Sequence, residues 1–152
     1  MNVLLVSPDP KSRELMALAV RSIERRTGEG IRFLEASDGE RGIRIARRER
    51  PDVIVADEIA SRAGAFALSM GLRDAETPFP GAIVILLERR HDSWLAKWSG
   101  ADAWFVKPVD PFELADRVMA LAGEPVGTPD VTVPSSPDGA PDGAPDGVKE
   151  RA

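Results

Sequence analysis

Cysteine is absent from this 152-residue chain, which excludes disulfides, thiolate zinc sites and cysteine nucleophiles. Histidine occurs once, at His91, and nothing in the sequence supplies it with a metal partner. No apolar run approaches the ~20 residues that a membrane span needs. The opening "MNVLLVSPDP" lacks a basic n-region and is too short for a secretory signal. Neither G-x-G-x-x-G nor G-x-x-x-x-G-K-[ST] is present, so nucleotide binding has no support. These absences point to a cytoplasmic protein without a membrane segment.

What is present suits one folded unit. Hydrophobic residues make up 43% of the chain, enough for a single core at this length. The net charge of −5 is unevenly placed. Residues 124–152 hold six acids and two bases, which leaves 19 acids against 18 bases in residues 1–123. The body is almost neutral and the tail is acidic. Arginine pairs occur at Arg25–Arg26, Arg47–Arg48 and Arg89–Arg90, with Glu24, Glu49 and Glu88 beside them. Such interleaving reads as a solvated face, not a nucleic-acid surface. From Glu124 the chain turns rich in Pro, Gly, Ser and Asp, with "PDG" at Pro137, Pro141 and Pro145. A segment of that composition has too few apolar side chains to offset the entropy of ordering. The expected organisation is a folded domain over residues 1–123 and a disordered tail over 124–152.

Within the domain two kinds of segment alternate. Short apolar, β-branched runs lie at 2–6, 31–36, 52–56, 82–87 and 103–106. Between them lie segments of helical spacing. Asp9 before Pro10 predicts a cap with proline at the first helical position. Leu15, Leu18, Ala19, Ser22 and Ile23 form the expected apolar face of that helix. Ser37 and Glu40 have the spacing of a capping box ahead of a helix around Ile43 and Ala46. A third helix is expected over Ala63 to Arg73 and a short fourth over Asp92 to Ser99. The last starts at Asp110–Pro111, with Glu113 completing a capping box. Its expected face is Phe112, Ala115, Val118, Met119 and Ala122. Five alternations of strand and helix predict a doubly wound α/β fold, a parallel sheet with helices on both faces. A site in such a sheet lies beyond the carboxyl ends of its strands. Asp57 stands there on the third strand and Lys107 on the fifth.

Several stretches, in this order and at these spacings, resemble the CheY-like receiver domain of two-component response regulators. They are "PDVIVAD" ending at Asp57, "ASDGERGI" from Ala36, "GADAWFVKP" from Gly100 to Pro108, and "DPFELADRV" after the lysine. The resemblance covers residues 1 to about 123 and implies a flavodoxin-like strand order of 2-1-3-4-5. It implies a phosphoryl group passing from a histidine kinase to Asp57, its charge met by Lys107 and Mg²⁺. It makes Trp104 the switch aromatic and Lys107–Pro108 a cis peptide.

The chain departs from that pattern. Ser7 and Pro8 stand where receivers carry an acidic pair, and only Asp9, one residue later, is acidic. Leu86 and Leu87 stand where a hydroxyl is expected. The loop after Asp57 reads "EIASRAGA", and the connection from Leu87 to Gly100 is about two residues short of the family's. The metal ligands on offer are Asp57 and, weakly, Asp9, so the expectation is no cofactor or a weakly held Mg²⁺. The resulting reading is a degenerate, non-enzymatic receiver acting through protein contacts. A conventional phosphoacceptor at Asp57 is the alternative, and a small α/β enzyme with a site between Asp57, Ser7 and Lys107 is a third.

Individual residues carry a plainer reading beside the functional one. Asp57 and Lys107 also read as a structural ion pair and Asp9 as a helix cap, while Glu58 reads as a solvated loop carboxylate ahead of a substitute ligand facing the pocket. His91, Asp92 and Ser93 are adjacent, and adjacent residues cannot converge on one reacting atom as a triad does. Trp94 and Trp98 are one helical turn apart on a helix too short to bury two indoles. With Trp104 and Phe112 they mark an expected contact face formed by the fourth helix, fifth strand and last helix. The expected partners are a histidine kinase or a downstream effector, with homodimerisation through that face, and neither nucleic acid nor membrane.

Overall fold

A computed structural model describes residues 1–58 and 64–123. The expected tail and most of the loop after Asp57 lie outside the described residues. Five strands form one parallel sheet: β1 (Asn2–Val6), β2 (Arg32–Ala36), β3 (Val53–Asp57), β4 (Ala82–Leu87) and β5 (Ala103–Val106). Their order is β2-β1-β3-β4-β5, as expected for the doubly wound fold. The helices are α1 (Pro10–Thr27), α2 (Gly39–Glu49), α3 (Ala65–Arg73), α4 (Ser93–Trp98) and α5 (Pro111–Ala122), with a short 3₁₀ turn at Arg90–Asp92.

Alternation along each strand sends side chains to two cores. Val3, Leu5, Val53, Val55 and Val84 meet α1 and α5 on one face. Leu4, Val6, Ile54, Ile83 and Ile85 meet α2, α3 and α4 on the other. The expectation of strands buried on both faces holds for β1, β3 and β4. The edge strands differ: β2 exposes Arg32 and Glu35, and β5 is half-buried beyond Ala103. An edge strand has a neighbour on one side only, so polar side chains are tolerated there.

The ends of the helices follow local chemistry. Asp9 accepts from the Lys11 N–H, with Pro10 at the first position of α1. Asp110 accepts from the Phe112 and Glu113 N–H groups at the start of α5. At α2 the cap is Asp38, which accepts from the Arg41 N–H, and not the expected Ser37. Both residues are good caps, and Asp38 is the one that directly precedes Gly39, the first helical residue. The third helix starts at Ala65, later than the expected Ala63.

Two helix faces are rotated from expectation. On α1, Met16, Ala19, Val20 and Ile23 are buried, while Leu15 and Leu18 are 61% and 60% exposed. On α5, Leu114, Ala115, Val118 and Leu121 are buried, while Phe112 is exposed and Met119 and Ala122 are half-buried. Both helices carry apolar residues on adjacent stripes. Period alone does not choose between two stripes about 100° apart; contact with the sheet does. Close approach also shapes α2, where a Cβ on Gly42 would lie 2.7 Å from Leu68 Cδ1 and 3.2 Å from Val6 Cγ2. No helix among the described residues is long and apolar enough to cross a membrane.

Candidate functional site

Asp57 ends β3 and is 2% exposed. Register places it opposite Leu86 of β4, and Lys107 follows β5 directly. Lys107 is anchored by its own N–H, which donates to the Leu87 carbonyl at 2.9 Å. Its Nζ donates to Asp57 Oδ1 and also to Glu88 Oε2. The hydroxyl of Ser7 donates to Asp57 Oδ2 at 3.2 Å and accepts from the Asp9 N–H at 3.2 Å. The sheet thus brings Asp57, Lys107 and Ser7 to one rim, and the Lys107–Pro108 peptide there is cis. Burial disfavours the Lys107 charge, but the hydrogen bonds to Asp57 and Glu88 and their charges outweigh it, so the amine titrates above its ordinary value.

Glu58 is not the freely solvated carboxylate expected of it. Its Oε1 accepts from the Glu88 N–H at 2.7 Å, and its own N–H donates to the Leu86 carbonyl at 2.9 Å. Burial, followed by the charge of Asp92 and of Glu88, raises its carboxyl above the usual range, against the lowering effect of the Glu88 N–H. Glu88 was noted in the sequence only as an acid beside an arginine pair. Its position one residue past β4, at the same carboxyl end of the sheet as Asp57, was the signal that could have drawn attention to it.

The Asp9 carboxylate makes its contacts at the head of α1. It is exposed and holds the Lys11 N–H at 3.0 Å and the Ser12 hydroxyl at 3.2 Å. Its neighbour Arg13 donates to the Ser7 carbonyl and to Glu35 Oε1. Among the described residues, no group of three or more His, Asp or Glu side chains is arranged to hold a metal ion. Among the described residues the Asp57 oxygens face a hydroxyl and an ammonium, a poor match to the octahedron of carboxylate and water oxygens that Mg²⁺ favours. Leu86 lines the Asp57 cavity, while Leu87 packs into the opposite core. That cavity, about 400 Å³, runs from Asp57 and Lys107 between α1 and α5, past Leu15, Met16, Pro108 and Leu114. Ser7 is not part of its lining.

The aromatic residues separate. Trp94 and Trp98 on α4 are 64% and 66% exposed, and Phe112 at the head of α5 is 71% exposed. Trp104 is half-buried against the core beneath α4. Leu15 and Leu18 add exposed apolar surface on α1 that sequence reasoning assigned to the core.

Comparison with known proteins agrees with this geometry. No family model matches the chain. Protein PilH of Pseudomonas aeruginosa is 35% identical over 97 residues, covering 62% of this chain and 80% of PilH. An uncharacterized response regulatory protein of Mycobacterium tuberculosis, Rv3143, is 29% identical over 125 residues, 82% of this chain and 93% of that protein. The chain belongs to the response regulator receiver family. This receiver spans 47% of the length of a further relative, the alkaline phosphatase synthesis transcriptional regulatory protein PhoP of Bacillus subtilis, at 30% identity over 118 residues. Among solved structures, the receiver domain of sensor histidine kinase PA1611 from Pseudomonas aeruginosa superposes with a TM-score of 0.69 at 22% identity, covering 81% of this receiver and 98% of that chain. The PA1611 domain carries a magnesium ion in its active-site cleft. Receiver domains are signalling proteins and not classical enzymes, and this one is a module of two-component signalling.

Proposed function

We propose that this receiver is a degenerate one, signalling through protein contacts with little or no dependence on phosphorylation of Asp57. The observation that carries this reading is the occupancy of the site by its own side chains. Asp57 is engaged by Ser7 and Lys107, and the acid nearest in sequence, Asp9, is committed to capping α1. One carboxylate gives weak affinity for Mg²⁺, and Leu86 offers no hydroxyl to a phosphate. The exposed Trp94, Trp98 and Phe112, with the half-buried Trp104 beneath α4, offer the surface for a kinase, an effector or a second copy. Arginines elsewhere are partly neutralised, as in Arg26–Asp116 at 2.8 Å and Arg32–Glu49 at 3.4 Å, which supports a protein partner over nucleic acid. The setting is the cytoplasm.

A conventional phosphoacceptor is the second reading, favoured by the contact of Lys107 with a buried Asp57 at the strand ends. An enzyme is disfavoured because Ser7 lies outside the cavity and Lys107 is shared between two carboxylates. Incubation of the full chain with acetyl phosphate and Mg²⁺, followed by intact-mass measurement, separates the first two. The degenerate receiver stays almost unmodified. A near-complete mass gain that disappears in Asp57→Asn establishes the conventional one.

A further inference from the structure

We infer that Glu88 is an autoinhibitory counter-ion of Lys107: its carboxylate takes the ammonium contact that a phosphoryl group on Asp57 would need. This goes beyond the reading above and draws on its alternative, in treating Asp57 and Lys107 as a pair that can still work once released. The geometry is a closed circuit. Glu58, next in sequence to Asp57, accepts from the Glu88 N–H and so fixes the chain as it leaves β4. From that anchored residue the Glu88 side chain reaches Lys107, whose Nζ also donates to Asp57. Four side chains and one main-chain N–H thus join the ends of β3, β4 and β5. Nothing in the packing requires this. Glu88 is exposed, with 38% of its side chain accessible, and a solvated glutamate was the simpler outcome.

Two effects oppose phosphorylation. An ammonium has three protons, and two of them are already directed at carboxylates. Phosphoryl transfer from acetyl phosphate has an Asp57 oxygen attack phosphorus while the bond to acetate breaks and acetate leaves with its electron pair. The charge that develops needs a cation. Glu88 both competes for that cation and repels the anionic donor. Because the Lys107–Glu88 contact is about one-third exposed, it acts as a brake that a single substitution releases.

The test uses the full chain and two exposed-site variants, Glu88→Gln and Glu88→Ala, with folding checked by circular dichroism. Competitive acetylation by a water-soluble succinimidyl ester is read by peptide mass, with Lys11, Lys97 and Lys149, the other lysines of the chain, as internal references. Both variants are expected to raise Lys107 acetylation about threefold and leave the other three unchanged. In parallel, both are expected to raise the acetyl-phosphate mass gain about fivefold over the parent, with the gain lost on adding Asp57→Asn. Unchanged Lys107 acetylation overturns the inference, whatever the mass gain. Released Lys107 with no added mass gain also overturns it, since the block then lies with the missing acids and hydroxyl. Near-complete phosphorylation of the parent chain defeats the degenerate reading and is recognised separately, because it is measured before any substitution at Glu88.

Discussion

The two ends of the sheet hold their cations differently. At the amino ends of β4 and β5, Arg73 donates to the carbonyls of Phe79 at 2.8 Å, Gly81 at 3.1 Å and Gly100 at 2.9 Å, and to Asp102 Oδ2. The same Asp102 oxygen accepts from the Ile83 N–H at 2.8 Å. At the carboxyl ends, the Lys107 amine is held, among the described residues, by Asp57 and Glu88. A guanidinium is a rigid fork, and its partners are mostly main chain, so exchanging one means moving the fold. An ammonium is a compact charge on a flexible stem, and its partners are carboxylates that rotate. One end is a clamp, the other a contact that changes hands.

The largest expected effect is at the clamp. Arg73→Ala removes a donor from three carbonyls and the partner of Asp102, and is expected to lower stability by about 2–4 kcal/mol in urea denaturation. Gly100→Ala adds a second route to the same damage. Its φ is +93°, and a Cβ there would lie 2.6 Å from Arg73 Cγ. A loss under about 0.5 kcal/mol for Arg73→Ala would mean that the clamp is ornamental and the contrast fails.

At the other end the asymmetry between partners is the sharper measurement. Lys107→Ala leaves Asp57 buried with its Ser7 hydrogen bond and without the ammonium, a loss of about 1–2 kcal/mol. Asp57→Asn leaves Lys107 with Glu88 and solvent, so its loss is expected to be smaller. In a double-mutant cycle, Asp57→Asn with Lys107→Ala is then no less stable than Lys107→Ala alone. A double variant that falls by the sum of the two singles would show that the pair is not coupled.

How much of this could be read beforehand depended on what decides each feature. β1, β4 and β5 were legible to the residue, since each is an apolar run ended by turn chemistry, and the capping of α1 and α5 by Asp9 and Asp110 was equally local. The rim position of Asp57 and Lys107 followed from strand order. The burial of Met16 in place of Leu15 was not legible, because adjacent stripes on α1 are both apolar and only the sheet selects one. Glu88 and Glu58 were missed for a different reason. Their roles come from two loops meeting across β3 and β4, a juxtaposition that no local pattern encodes.

The exposed aromatic face gives a smaller effect on stability and a larger one on association. Trp94→Gln and Trp98→Gln each remove a mostly solvent-facing ring, and each is expected to change stability by less than about 0.5 kcal/mol. Self-association measured by sedimentation is expected to fall in the double variant if a second copy uses this face. Stability losses above about 2 kcal/mol would identify the rings as structural supports of α4 instead.

The smallest effect is electrostatic and tests whether the Glu58–Glu88 link is under tension. Burial, with help from Asp92 and Glu88, raises the Glu58 carboxyl in the folded chain. Between its unfolded and folded values the folded state therefore holds the extra proton, and stability falls as pH rises through that window. The contribution from Glu58 is full below the unfolded value and is lost above the folded one. Glu58→Gln keeps an acceptor for the Glu88 N–H and has nothing to ionise. Its melting temperature relative to the parent is expected to climb as pH rises from about 4 towards neutrality and then level off. A flat difference would mean that Glu58 ionises as freely in the folded chain as in the unfolded one. The N–H contact with Glu88 would then balance the effect of burial, and the carboxyl end of the sheet would be less strained by its acids than its layout implies.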